Sequence, residues 1–327
     1  MNSFGRLFRI NIFGESHGGY VGVCIDGLPP GILLKANDFE ADLERRKPLQ
    51  KGTTQRIESD VPIIISGLYN EYTTGAPLTI IFENNNRKSN DYDNIAKHFR
   101  PGHADFSAYI KYKGFNDNRG GGHFSGRLTL PIVAAGVIAK KIISPIIVEA
   151  KIVEIGGKKD FESVIEEASI KGDSVGGIIE CKATNMIAGL GEPFFDSLES
   201  LLSHAMFSIP AVKGIEFGTG FKLASMFGSD ANDCFTNEEG KTLTNHHGGI
   251  LGGISSGNDI LFRLAIKPTS SIAKQQNTFN WETKTVELLE IKGRHDTCIA
   301  LRIPVIVEAL TAIVLADCIL VNNAFSK

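Results

Sequence analysis

Hydrophobic and polar positions alternate over seven short segments, 7–13, 21–25, 61–66, 78–82, 146–155, 175–181 and 261–266, each rich in β-branched residues and bounded by turn formers. That pattern predicts strands. A helical period runs through 38–46, which follows Asn37, has Glu40 in the capping-box position, pairs Phe39 with Leu43 and stops before Pro48. Apolar residues recur at three- and four-residue spacing over 130–143 and 303–320, predicting longer helices that cover a sheet, and 197–206 predicts a shorter one. The elements come in mixed order and no GxGxxG follows a strand, so the expected class is an α+β sandwich rather than a dinucleotide-binding parallel sheet. No low-complexity linker divides the chain, which predicts one interwoven domain over 1–327. ESHGGYVGV at 15–23 and NHHGGILGGI at 245–254 share an entry into an apolar run, which fits either two related halves or chance in a chain with 35 glycines.

With 327 residues, 42% hydrophobic and 22% charged, the chain can bury a large core, and neither disorder nor a fibrous repeat is indicated. A net charge of −3 argues against a general nucleic-acid binder, so any anion site must be local. The five cysteines, Cys24, Cys181, Cys234, Cys298 and Cys318, form no metal-ligand spacing and predict reduced, mostly buried thiols. The first residues lack a sustained apolar run, and 303–320 is interrupted by Glu308 and Asp317, so the expectation is a cytoplasmic protein without a membrane partner.

Residues 14–19 read GESHGG and residues 100–105 read RPGHAD. His17 and His103 each sit where glycine lets the backbone approach a ligand, and an imidazole there suits acid–base chemistry. The plainer reading is that each satisfies a turn. GESHG also matches G-x-S-x-G, which would make Ser16 a hydrolase nucleophile on a strand-to-helix elbow. The glycines and valines that follow predict a second strand instead, and GISSG at 253–257 meets the same pattern through composition. Gly240, Lys241 and Thr242 end like a phosphate-binding loop, but Phe235 stands where its first glycine belongs.

RRKPLQKGTTQR at 45–56 carries five cations. As a solvated face it would be a candidate RNA-binding module; joined by Arg100, Arg127 and Arg294 it would instead build a pocket for a small polyanion. RGGGHFSGRLT at 119–129, NHHGGILGGISSG at 245–257 and KPTSS at 267–271 supply backbone amides, hydroxyls and a lysine able to wrap a phosphorylated cofactor.

FGESHGGYVGVCIDGLPPG at 13–31, TTQR at 53–56, FRPGHAD at 99–105, RGGGHFSGR at 119–127, the 245–257 loop, KPTSS, and KGRHD at 292–296 together resemble the chorismate synthase family nearly end to end. The resemblance implies a β-α-β sandwich with internal pseudo-duplication. It also implies an FMN-dependent anti-1,4-elimination of phosphate from 5-enolpyruvylshikimate 3-phosphate, giving chorismate for aromatic amino-acid biosynthesis. Two carboxylates and a phosphate on the substrate, and another phosphate on FMN, account for the cations. Further implied are a homotetramer and reduced FMN, regenerated either with NADPH by the protein itself or by an external flavin reductase. No metal or nucleic acid is implied.

By the same resemblance, His17 would protonate the departing phosphate, His103 would stand near flavin N1, and Asp296 near N5 would help the C6 proton leave. FMN contacts would fall at His123, Phe124, Ser125, Pro210, Ala211, Gly252, Lys267, Pro268, Thr269, Ser270, Ser271 and Arg294. Arg46, Lys51, Arg100 and Arg127 would bind substrate or NADP. Lys51 stands where many relatives carry arginine, and His123 and Phe124 replace an Arg-Ser pair, which changes the side chains offered at both places.

Overall fold

The computed structural model describes residues 2–48, 51–53, 59–85, 98–291 and 295–325. The first sheet contains β1 (Arg9–Gly14), β2 (Tyr20–Asp26), β3 (Ile63–Ser66) and β4 (Leu78–Glu83), antiparallel in the order β1-β2-β4-β3, with Ser3–Phe4 added at the β1 edge. The second contains β5 (Ile147–Ile155), β6 (Gly177–Thr184), β7 (Val212–Phe217) and β8 (Ile260–Ile266), antiparallel in the order β5-β6-β8-β7. A hairpin, β9 (Gln276–Asn280) and β10 (Thr285–Leu289), stands apart. The main helices are α1 (Glu40–Arg46), α2 (Asp105–Tyr112), α3 (Thr129–Ile143), α4 (Phe161–Ile170), α5 (Leu198–Met206) and α6 (Pro304–Phe325).

The two halves repeat one plan. Each runs through two strands, a short helix (α1 or α5), two more strands and a long helix (α3 or α6), and each sheet has the same strand order. Even the irregularity recurs, because the third strand is bulged against the fourth in both, between Ile64 and Ser66 and between Val212 and Gly214. The sequence echo does not mark this repeat. Residues 15–23 lead from the first strand into the second, whereas 245–254 lie between the third and fourth.

Strand alternation explains the layering. Leu78, Ile80 and Phe82 of β4, and Ile260, Phe262, Leu264 and Ile266 of β8, are buried while their neighbours are less so. These faces close on a middle layer in which α3 packs against β2 and β4, α6 against β5 and β6, and the two helices against each other. A Cβ on Gly136 would fall 2.3 Å from the Cβ of Ala309, so the helices touch at backbone distance. Among the described residues α6 alone is long and apolar enough to cross a membrane, but 83% of its most apolar window is buried inside the protein.

The polar interruptions of α6 are internal anchors. Glu308 accepts from Arg45 Nη1 and Nη2 (both 2.7 Å), Lys140 Nζ (3.2 Å) and the Ala150 amide (3.0 Å). Asp317 Oδ1 accepts the consecutive amides of Arg6, Leu7 and Phe8 at 2.9, 2.7 and 3.0 Å, which fixes the approach to β1. All five cysteines are free thiols, and burial pushes Cys181 and Cys318 up to about 12.

Several predicted boundaries move by a few residues, as where the helix expected at 303–320 runs over Pro304–Phe325. The helix expected over 38–46 behind an Asn37 cap begins as a 3-10 turn, Ala36–Phe39, because Asp38 Oδ2 accepts the Lys35 amide at 2.7 Å and moves the start back. α5 starts where expected, with Ser197 Oγ accepting the Ser200 amide at 3.1 Å.

Candidate functional site

A cavity of about 1050 Å³ opens where both long helices begin. Thr129 and Ile132 of α3 line it beside Ile306 and Leu310 of α6, with Arg127 and Arg302 just ahead of the two helices. Helix starts carry partial positive charge, so the scaffold itself favours an anion there. Among the described residues the lining holds six cationic side chains, Arg46, Arg100, Arg127, Lys213, Lys267 and Arg302, against two carboxylates, Asp60 and Asp296. Five of the eight histidines also reach it: His17, His103, His123, His204 and His295.

His17 sits at the corner of a turn closed by the Gly18 amide on the Glu15 carbonyl at 3.1 Å. The Ser16 amide donates to Gly122 O at 3.1 Å, tying that turn to the glycine run at 120–122. His17 is 4% exposed, and its room depends on Gly120: a Cβ there would lie 2.2 Å from His17 Cε1 and 2.4 Å from Nδ1. Gly120 also has φ +60°, which suits glycine. The next residue, Gly121, faces His103, whose Cε1 and Nε2 would be 3.6 Å from an added Cβ. The run therefore passes between both candidate histidines.

His103 is oriented by a carboxylate. Its Nδ1 lies 2.6 Å from Asp105 Oδ1, and Arg100 brackets the same group through Nε (2.7 Å), Nη2 (2.8 Å) and its amide (3.1 Å). Burial alone would raise the Asp105 carboxyl, but the hydrogen bonds from Arg100 and His103 hold it well below the usual range. Asp105 is therefore an acceptor, and we assign the proton to His103 Nδ1. The 3.1 Å approach of Arg100 Nη2 to that nitrogen reflects two donors converging on one carboxylate. Nε2 remains for proton exchange.

Asp60 organises the other arginines. It is 4% exposed, has φ +52° and pairs with Arg46 Nη2 at 2.8 Å and with Arg127 Nη1. Burial would raise its carboxyl, and the two guanidinium groups outweigh that and lower it. Burial depresses Arg46 to about 10, assisted by Arg302 and Arg127 and opposed by Asp60, so Arg46 stays charged at neutral pH. Arg127 also donates from Nε to Asn84 Oδ1 at 2.9 Å and from Nη2 to Glu83 O at 3.2 Å.

Elsewhere on the lining, Lys267 Nζ donates to Gly102 O (2.6 Å) and Ser270 Oγ (2.7 Å), Ser270 Oγ donates to Gly102 O (2.7 Å), and Arg100 Nη1 donates to Ser271 Oγ (3.1 Å). These bonds latch the 267–271 loop to the 100–105 loop. The Lys267 ammonium is lowered by burial and by Lys213. Lys267 N donates to Ala211 O at 2.9 Å, and Ala211 has the unusual φ of +77°. His123 is spanned by Gly14 O at 2.8 Å from Nδ1 and Asn2 Oδ1 at 3.1 Å from Nε2. Asp296 receives Arg302 Nη1 at 3.4 Å.

Thus His17, Arg46, Arg100, His103, His123, Phe124, Ser125, Arg127, Pro210, Ala211, residues 267–271 and Asp296 meet on one lining. Gly252 lies between Ile250–Leu251 and Ile254–Ser255, off that lining, and Lys51 is largely exposed, 3.6 Å from Glu166. Arg294 lies outside the described residues, as do Arg56 and Lys292. Sequence reasoning missed Asp60, Lys213, His295 and Arg302, none of which carries a motif of its own except His295, inside KGRHD.

The hydrolase elbow is absent, since Ser16 is fully buried and the turn leads into β2 rather than a helix. Among the described residues of the basic stretch, three of the four cations are hydrogen-bonded to carboxylates. Arg45 turns to Glu308, Arg46 to Asp60, and Lys47 Nζ to Glu44 Oε2 at 2.7 Å.

A family profile described as chorismate synthase matches residues 8–320. The chain is similar to chorismate synthase of Chitinophaga pinensis, at 59% identity over 100% of this chain and 99% of the relative. The proteins of the same name from Dehalococcoides mccartyi, at 45% identity over 97% and 96%, and Pyrococcus abyssi, at 46% over 98% and 98%, are also similar. A solved structure described as a crystal structure of chorismate synthase matches with a TM-score of 0.76 at 26% identity, covering 98% of this chain and 93% of that one.

Proposed function

The chain belongs to the chorismate synthase family, and from that membership we propose that the cavity at the heads of α3 and α6 is its active site, holding reduced FMN beside the substrate. The enzyme is a lyase of aromatic amino-acid biosynthesis that converts 5-enolpyruvylshikimate 3-phosphate to chorismate and phosphate. The observation that carries the site proposal is the convergence of six cations and two loop-held histidines on one cavity. Its volume, about 1050 Å³, stands at the upper end of the about 300–1,000 Å³ usual for ligand pockets.

The residues present fit a flavin mononucleotide. Thr269 Oγ1 is buried without a hydrogen-bond partner among the described residues, next to Lys267 in a loop that offers further hydroxyls. Ile10, Ile12, Ile132, Ile299 and Ile303 add apolar side chains to the same lining, as a flavin ring requires. Lys267, Thr269 and Ser270 would hold the cofactor, with His103 and Asp296 toward its ring. When bound, reduced FMN supplies the electron chemistry that permits an elimination with no net redox change.

Arg46 and Arg127, spaced by Asp60, bind and orient substrate anions. His17 delivers a proton to the leaving phosphate from a site shielded from water. His103 keeps its Nδ1 proton on Asp105 and exchanges at Nε2, and Asp296 accepts a proton near the reacting ring. Assembly as a cytoplasmic homotetramer belongs to the same proposal.

The test is anaerobic turnover of the substrate with chemically reduced FMN, alongside an FMN titration. His17→Ala and His103→Ala should each lower kcat by about 10²-fold or more with FMN binding largely retained. Full turnover by either variant removes that histidine from its role. Repeating the assay with FMN and NADPH and no added reductase decides whether the protein reduces its own flavin.

A further inference from the structure

Asn84 follows β4, is fully buried, and is not part of the cavity lining. Its Nδ2 donates to Glu15 O at 3.1 Å and to Gly18 O at 3.0 Å, which are the carbonyls at the two ends of the turn that carries His17. Its amide donates to Gly19 O at 3.0 Å. Its Oδ1 accepts Arg127 Nε at 2.9 Å. One carboxamide thus uses both donors on the histidine turn and its acceptor on an anion-binding arginine, a combination that neither an aspartate nor a leucine can reproduce.

We propose that Asn84 is a positioning residue for the elimination, fixing His17 relative to Arg127 so that proton donor and bound phosphate meet at a set distance. The proposal rests on His17 being that donor. Arg127 cannot swing away while Asp60 and Glu83 O hold its other nitrogens, so the carboxamide transfers a fixed reference to the turn. The turn has a second tether, Ser16 N to Gly122 O, on the far side. Losing Asn84 leaves the turn hinged there rather than unfolded.

The experiment is a double-mutant cycle on the full chain with reduced FMN, using Asn84→Leu, Asn84→Asp and His17→Ala. Asn84→Asp keeps the size and the acceptor for Arg127 but loses the two donors and sets a carboxylate against two carbonyl oxygens. It also serves if the leucine variant does not fold. Each Asn84 variant should lower kcat by about 10- to 100-fold, the scale of a misplacement near 1 Å, with FMN affinity unchanged. In the His17→Ala background the same change should cost less than about threefold, because the group it positions is gone. An equal loss in both backgrounds, or wild-type kcat in both Asn84 variants, overturns the proposal while leaving the role of His17 intact. A fully active His17→Ala instead defeats the donor assignment, and the coupling with it.

Discussion

Gly120→Ala places one methyl group against the candidate acid. Its Cβ would stand 2.2 Å from His17 Cε1, where ordinary contact begins at 3.4 Å, so the ring must retreat by about 1 Å. A shift of that size can cost about 10²-fold in rate, equivalent to about 2.7 kcal/mol of transition-state stabilisation. The substitution also forces alanine to φ +60°, a backbone penalty of about 1–2 kcal/mol. Gly121→Ala provides the control. It carries a similar penalty at φ +82°, but its Cβ would meet His103 at 3.6 Å, an ordinary contact. Both variants should melt a few degrees lower by calorimetry, whereas only Gly120→Ala should lose about 10²-fold in kcat and Gly121→Ala should stay within about fivefold. Equal kcat losses would reduce the glycine run to a folding requirement. A highly active Gly120→Ala would mean that the position of His17 is not critical.

Lys267→Met should weaken FMN by about tenfold or more in a fluorescence titration, because it removes a charge from the loop that offers Thr269 and Ser270; unchanged affinity would move the cofactor phosphate elsewhere. Lys51→Ala should leave both FMN affinity and substrate KM within about twofold, since its side chain is exposed and off the cavity; a larger effect would place a ligand outside the lining described above. Glu308→Gln should destabilise the fold by about 1–3 kcal/mol at pH 7 in urea melts. Burial raises the Glu308 carboxyl, but Arg45, the Ala150 amide and Lys140 outweigh it, so its folded pKa is lowered from 4.5. Its contribution is present above that unfolded value and fades as pH falls toward the folded pKa, so the gap to the wild type should narrow below pH 4.5; a gap independent of pH would exclude ionisation as its source.

The seven strands and four helices read from periodicity are all present, and most of them bury a repeating face; β3 is the exception, with Ile63 and Ile65 exposed at the sheet edge. β7 escaped because VKGIEF mixes a lysine, a glycine and a glutamate into a strand that lies at the sheet edge. The β9–β10 hairpin escaped because QNTFN carries a single apolar residue and the short alternation of TVELL turns Val286 and Leu288 to solvent; its neighbour Trp281 packs on Phe99 and Phe106, a contact across the chain that local pattern cannot register. Motif reading found the histidines because glycine framing is local. It could not separate Arg45 from Arg46, since adjacent helical residues point about 100° apart and only the fold sends one to Glu308 and the other into the cavity. Asp60 belongs to no motif in the sequence, and its importance lies in the two arginines brought to it.

The repeated plan of the two halves has an electrical consequence. Each half closes with an arginine leading into a buried helix, Arg127 before α3 and Arg302 before α6, and both helices begin at the same void. Two backbone dipoles and two fixed cations thus act as a matched pair of electrodes, giving the chamber a positive bias that no single side chain owns. Charge removal at one arginine should consequently attenuate anion capture in steps rather than abolish it, because the opposite half still presents its own.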